Sequence, residues 1–307
     1  MKMNLTGRLR SLLSLLAVLA SAAVTATAAD APKINATTPV PTALDLLRLK
    51  RPLVIAHRGF STAAPENTLP AFELALTAGA DLVELDYHHS SDGQLVVCHD
   101  PTLDRTTDAV GRWGQKGVRI ADRTWADLST LDAGSWFKPH FGGIRLPRLT
   151  EALDVIQPRS VTLVERKAGD AAPCVALLRE RGLINRVVVH AFDWTYLREF
   201  HRLAPEQVLG ALGPPSTRGG RKLGDDEKKL SAAYLDEIQA AGVKLVGWSK
   251  MVSREVVQEA HRRGLKVWIY TIDEPAVARE LLDFGVDGII TNNPALIWKT
   301  LATWRDR

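Results

Sequence analysis

The sequence predicts a single α/β domain built as a (β/α)₈ TIM barrel. Three observations predict it. Short runs rich in Val, Ile and Leu alternate with amphipathic stretches along the 307-residue chain, the order that builds a parallel sheet covered by helices. Several amphipathic stretches run into glycine, at Gly79, Gly182, Gly242, Gly264 and Gly285, the residue that closes a helix in the left-handed conformation. One strand-like run in excess of eight follows its predecessor after only Ser91-Asp92-Gly93. So short a link makes a hairpin, because a parallel crossover needs about a dozen residues or more.

Taken in order, strands are expected at 52–56, 82–88, 95–99, 161–165, 186–190, 207–212, 244–247, 266–271 and 286–291. Helices are expected at 68–78, 172–181, 194–203, 232–241, 254–263 and 274–284. The run at 95–99 is the hairpin partner, returning over the barrel mouth; the other eight strands close the barrel. The stretch from Pro101 to Leu149 has little helical period and carries Gly, Trp and Pro. It reads as an insertion of about residues 100–150, between the second barrel strand and the next, that caps the mouth. The barrel domain is assigned to residues 51–302.

Residues 1–28 read as a signal peptide. Lys2, Arg8 and Arg10 precede an apolar run at 12–23, and Ala26-Thr27-Ala28 fits a cleavage site. The run is shorter than the roughly 20 residues a bilayer span needs. The expected product is an exported chain, periplasmic or secreted, with no stable membrane insertion after cleavage. Residues 29–50 form a Pro/Thr-rich lead-in. Composition is that of a globular protein, 46% hydrophobic and 24% charged. The net charge of +4 owes three units to the first 28 residues. No Lys/Arg block interleaves with aromatics, which argues against a nucleic-acid partner. Cys98 and Cys174 are too few for a disulfide framework; they read equally as a pair or as two buried thiols.

In such a barrel the active site lies where the strands end, and there polar residues interrupt the apolar runs. Strand one ends in His57-Arg58-Gly59, strand two carries Glu84 and Asp86 on one face, the return strand ends in His99-Asp100, and the next ends in Glu165-Arg166-Lys167. Three carboxylates without thiolates suit one hard divalent cation, Ca²⁺ or Mg²⁺, with an exported site favouring Ca²⁺ by availability. Arg58 and Lys167 suit a phosphate. His57 and His99 suit a general acid and base. Singly, His57 is as readily a satisfied core histidine, and Glu84 with Asp86 an ordinary ion-paired couple. Together the seven form a kit for cleaving a phosphoester.

The segments His57-Arg58-Gly59, Pro65-Glu66-Asn67-Thr68, Gly79 through Asp86, Asp92-Gly93 and His99 through Thr107 resemble the glycerophosphodiester phosphodiesterase family. So do Leu131 through Phe137, Leu146 through Leu153, Glu165-Arg166-Lys167 and Gly285 through Thr291. The resemblance spans about residues 52–300. It implies a metal-dependent TIM-barrel hydrolase that converts a small-molecule glycerophosphodiester to sn-glycerol 3-phosphate and an alcohol. By position it implies His57 and His99 as the acid/base pair, without saying which is which. It likewise implies Glu84, Asp86 and Glu165 as metal ligands and Arg58 and Lys167 as phosphate-binding cations. The rival activities are a lysophospholipase D-like or phospholipase C-like enzyme on the same barrel, and a non-catalytic phosphodiester-binding protein.

The chain departs from the family pattern at two places. Tyr270-Thr271-Ile272-Asp273 stands for the usual Trp-Thr-Val-Asn, and Thr291-Asn292 for Thr-Asp. Tyr270 is expected to wall the substrate pocket; Asp273 and Asn292 read as drift outside the reacting centre. His190 and Phe192 end the fourth barrel strand, Phe192 as an apolar wall. His88 is in phase with Glu84 and Asp86. Trp113, Trp125, Trp136 and Phe137 read as packing within the insertion, and Arg218 through Gly224 as a solvated loop.

Overall fold

The computed structural model describes residues 40–305. The signal peptide at 1–28 and the first half of the lead-in therefore lie outside the described residues. The eleven strands are β1 (Leu53–Ala56), β2 (Leu82–His89), β3 (Leu95–Val97), β4 (Val161–Arg166), β5 (Val187–Ala191), β6 (Val208–Gly213), β7 (Thr217–Arg218), β8 (Arg221–Lys222), β9 (Leu245–Trp248), β10 (Lys266–Ile269) and β11 (Gly288–Thr291). Eight of them run parallel in the order β1, β2, β4, β5, β6, β9, β10, β11, and β1 pairs with both β2 and β11. The sheet is thus a closed barrel with helices between its strands.

β3 is the hairpin partner, antiparallel to β2 with Tyr87 opposite Val97 and His89 opposite Leu95. β7 and β8 form a two-residue ladder in the loop after β6. Here Arg218 pairs with Glu237 of the following helix and Arg221 with Glu227, so both arginines of the basic loop are ion-paired.

The six expected helices are present, at Leu69–Thr77, Ala171–Glu180, Trp194–Leu203, Ala232–Gln239, Arg254–Arg262 and Pro275–Phe284. Five further ones, Ala43–Arg48, Ala109–Trp113, Trp125–Leu128, Leu149–Ile156 and Pro294–Arg305, lie outside the expected spans. Leu149, Ala152, Leu153 and Ile156 are buried at helical spacing, a short pattern hidden at the end of the irregular insertion. The helix Ala43–Arg48 falls in the stretch read as lead-in. Its Thr42 and Asp45 cap each other reciprocally. Ala43 and Leu46 pack with Leu53, Ile55, Leu82, Val161 and Trp268, residues of the barrel interior near the strand starts. The helix is therefore the floor of the barrel.

Replacing Leu46, 5% exposed, with Ala should lower the unfolding free energy by about 2–5 kcal/mol, the usual cost of truncating a buried leucine. Urea denaturation checks this, and turnover at the far end of the barrel should be unchanged.

In the same layer, Gly288 at the start of β11 makes room for Trp268. A Cβ at Gly288 would lie 2.7 Å from Trp268 Cδ1, closer than packed carbons approach. The insertion has a small core of its own, with Val96, Cys98, Leu103, Ile120, Leu128, Leu131 and Leu146. Trp113 and Trp125 pack against it. Cys98 lies there and Cys174 in the layer between sheet and helices; both are free, buried thiols. Among the described residues no helix is long and apolar enough to cross a membrane.

Candidate active site

Side chains alternate along a strand, so one phase of each barrel strand faces inward. That phase begins apolar, with Leu53 and Ile55, Leu82, Val161 and Leu163, and Val188. It ends polar, with His57, Glu84 and Asp86, Glu165, and His190. The register of the parallel pairs sets Asp86 beside Glu165 and Glu165 beside His190. His57, Glu84, Glu165 and His190 share a cleft with Phe192, Leu212, Tyr270 and Ile290.

The turn after β1 aims Arg58 at Glu66 and Asp86. Arg58 and Gly59 both adopt left-handed backbone, φ 56° and 82°. A Cβ at Gly59 would sit 2.6 Å from the Ala71 carbonyl carbon, so only glycine lets the turn lie against the following helix. Arg58 donates its backbone N–H to Glu84 Oε2 (2.7 Å) and Nη1 to Glu66 (2.8 Å). Asn67 holds Asp86 from both ends. Its Nδ2 donates to Asp86 Oδ2 (2.7 Å), and its Oδ1 accepts from the Asp86 backbone N–H (3.1 Å).

The carboxylates repel one another in a dry place. Burial first, then the charges of Asp86 and Glu165, raise the Glu84 carboxyl well above its ordinary value. Burial and Asp86 push Glu165 up to about 7. Asp86 is buried too, but Lys167 and Arg58 outweigh the burial and hold it down at about 2. Lys167 Nζ bridges Asp86 Oδ1 (3.1 Å) and Glu165 Oε1.

His190, 2% exposed, has no hydrogen-bond partner on either ring nitrogen. Burial, followed by Lys167, lowers it to about 3, so the ring is neutral. Its Nε2 lies 4.0 Å from Glu84 Oε1 and 3.9 Å from Glu165 Oε2. Glu84 Oε1 also lacks a hydrogen-bond partner. Buried polar atoms without partners are costly. Here Glu84, Glu165 and His190 each offer a donor atom within 4.8 Å of the others. The donor set fits a divalent cation, whose charge would offset the carboxylate repulsion.

The two remaining histidines carry different partners. His57 Nδ1 is 2.7 Å from Asn292 Oδ1; burial, then Arg58, lowers its imidazole to about 4. His99 Nδ1 is 2.6 Å from Asp100 Oδ1. Asp100 and Glu66 both accept from Arg105, which donates Nε to Asp100 (2.7 Å) and Nη1 to Glu66 (2.8 Å). His99 is therefore tied through Asp100, Arg105 and Glu66 to Arg58. His88 Nε2 is 3.0 Å from the His99 carbonyl oxygen.

The profile of the glycerophosphoryl diester phosphodiesterase family matches residues 57–296, from the first histidine to the last helix. The chain belongs to this family. The glycerophosphodiester phosphodiesterase of Bacillus subtilis is 33% identical over 278 residues, covering 83% of this chain and 88% of that protein. The enzyme of that name from Caldanaerobacter subterraneus is 31% identical, covering 79% and 94%. Among solved structures, an Oleispira antarctica phosphodiesterase in complex with the product sn-glycerol-3-phosphate superposes with a TM-score of 0.71 at 28% identity, covering 82% and 97%. A glycerophosphodiester phosphodiesterase from Agrobacterium tumefaciens gives 0.67 at 29%, covering 82% and 99%. This glycerophosphodiester phosphodiesterase family member is an enzyme, a phosphoric diester hydrolase on a TIM barrel.

The structure brings Arg58, Glu84, Asp86, Glu165 and Lys167 into one ion-paired and hydrogen-bonded cluster, and both His57 and His99 bear on the Asp86 charge. Tyr270 lines the cleft as expected, edge-on to Phe192, with its hydroxyl donated to the Gly213 carbonyl (2.5 Å). What the sequence reading missed is His190 as a candidate ligand. Its signal was strand phase: two residues after Val188, it stands level with Glu165.

Proposed function

We propose that the enzyme cleaves glycerophosphodiesters to sn-glycerol 3-phosphate and an alcohol, with His57 as general base and His99 as general acid. A divalent cation, Ca²⁺ or Mg²⁺, would be held by Glu84, Asp86 and Glu165, with His190 beside them. When bound, such an ion polarises a phosphoryl oxygen and lowers the pKa of a nearby hydroxyl. The observation that carries the assignment is the unlike partnering of the two imidazoles. An amide oxygen on Nδ1 leaves His57 neutral, with its Nε2 lone pair free to accept a proton. Burial lowers His99, but a carboxylate on its Nδ1 opposes that shift and steadies the ring when it carries the proton it donates.

His57 removes the proton from the glycerol hydroxyl next to the phosphoester, and that oxygen attacks phosphorus. His99 protonates the departing alcohol oxygen. Water then opens the cyclic phosphate with the two roles reversed. Arg58 and Lys167 neutralise the phosphate and orient it. The product bound by the Oleispira enzyme supports this substrate class. We further propose that the chain is exported after cleavage near residue 28; N-terminal sequencing of the mature protein from its source cells checks this.

The decisive assay follows glycerol 3-phosphate release from glycerophosphocholine, first with EDTA and then with Ca²⁺ or Mg²⁺ restored. Activity should vanish on chelation and return with one ion. No turnover on any glycerophosphodiester with metal supplied would overturn the reading. Turnover confined to lysophospholipids would favour the lipid-directed activity, and metal-independent binding without turnover a binding protein.

A further inference from the structure

His57 ends β1, and the groups that hold it come from the far end of the chain. Asn292 Oδ1 faces His57 Nδ1 at 2.7 Å and also accepts the Ser61 hydroxyl at 2.9 Å. Asn292 Nδ2 donates to Asp273 Oδ2 at 2.7 Å, and the Asn292 backbone N–H donates to Asp273 Oδ1 at 2.8 Å. Thr291 Oγ1 accepts the Asn293 backbone N–H at 3.1 Å and gives its one proton to Asp273 Oδ1 at 2.8 Å. Asp273 lies just beyond β10 and Asn292 just beyond β11, so neighbouring barrel strands deliver both to one spot.

This network has one consistent reading. The Asp273 carboxylate offers acceptors only, so it takes the amide nitrogen of Asn292. The amide oxygen must then face His57. An amide oxygen cannot donate, so the proton between the two groups belongs to His57 Nδ1. The lone pair of the neutral ring is thereby confined to Nε2. Reversing the Asn292 amide would turn two N–H donors toward His57 and Ser61 and leave its oxygen against a carboxylate. His99 has no such intermediary, since its Nδ1 meets Asp100 directly.

We infer that Asp273 is a positioning residue that sets the His57 tautomer through the Asn292 amide, holding a carboxylate one hydrogen bond away from the ring instead of against it. The inference rests on the proposed role of His57 as base. It also gives the two departures from the family pattern a single explanation. They are two halves of one contact, with amide and carboxylate in exchanged positions.

The test uses the full chain labelled with ¹⁵N-histidine, with the His57 resonances assigned by their loss in His57→Asn. Long-range ¹H–¹⁵N correlation spectra report which ring nitrogen carries the proton. The wild type should show His57 as the Nδ1–H tautomer. In Asp273→Asn, an isosteric change, the Asn292 amide is free to turn. His57 should then show the Nε2–H form or a mixture of the two. With glycerophosphocholine, kcat should fall roughly a hundredfold, within the range for loss of one general base, with KM changed less than about twofold.

The exchange Asp273→Asn/Asn292→Asp keeps every hydrogen bond but reverses the central one. It should restore the Nδ1–H tautomer and most of kcat. Should Asp273→Asn fail to fold, this pair carries the test alone. An Nδ1–H tautomer that persists in Asp273→Asn, or an exchange that leaves the ring in the wrong form, overturns the inference. A tautomer that switches as expected in a protein inactive on every glycerophosphodiester would leave the inference standing and remove the reading of function.

Discussion

Replacing His99 with alanine should cut turnover by roughly 10²–10⁴-fold, the usual contribution of a positioned acid or base, while leaving cation affinity nearly intact. His99 Nδ1 is committed to Asp100, and Arg105 holds the Asp100 carboxyl well below its ordinary value. The cluster of candidate donor atoms consists of Glu84, Glu165 and His190 and does not include His99. Steady-state kinetics on glycerophosphocholine, paired with calorimetric titration of Ca²⁺ or Mg²⁺, separates the two effects. A variant that keeps most of its turnover would remove His99 from the mechanism. A substrate with a good leaving group, such as a p-nitrophenyl ester, should recover part of the loss, because its leaving oxygen needs little protonation.

Glu84→Gln should have the larger effect on the cation and an opposite effect on the metal-free protein. Glu84 is 1% exposed and faces two other carboxylates. Removing its charge relieves both its desolvation and that repulsion. The metal-free variant should therefore unfold at the same temperature as the wild type or above it. The increase in unfolding temperature that saturating cation gives the wild type, which follows from preferential binding to the folded state, should disappear. Activity should fall to background. Thermal unfolding with and without cation reads both. A variant that is still stabilised by the ion would remove Glu84 from the ligand set.

Much of this was legible in the sequence. The eight barrel strands and the β2–β3 hairpin follow from apolar runs and one short Asp-Gly turn. The alternation along β1, β2 and β4 by itself directs His57, Glu84, Asp86 and Glu165 to one mouth. Helices signalled by a long periodic face and a terminal glycine were found within a few residues. Ala43–Arg48 was not, because six residues are too few for a period to emerge and its partners are scattered from Leu53 to Trp268. His190 was noticed as a strand end, but its meaning depends on the register between β4 and β5, which a single strand does not record. Asp273 and Asn292 looked like unrelated drift for the same reason. Nineteen residues separate them, and only barrel closure brings them together.

The insertion core has a bearing on descent within the family. His57 directly follows β1 of the barrel, whereas His99 follows β3, whose Leu95 and Val97 face the main core and whose Val96 packs into the separate small core of the insertion. The proposed base and acid are thus carried by two different building blocks. Residues from β3 to Leu146 could be exchanged between relatives as a cassette, each bringing its own proton donor and its own rim around the leaving alcohol. The half of the site that holds the cation and the phosphate would pass unchanged through every such graft. Diversification of the alcohol accepted therefore need not have waited on changes in the barrel itself.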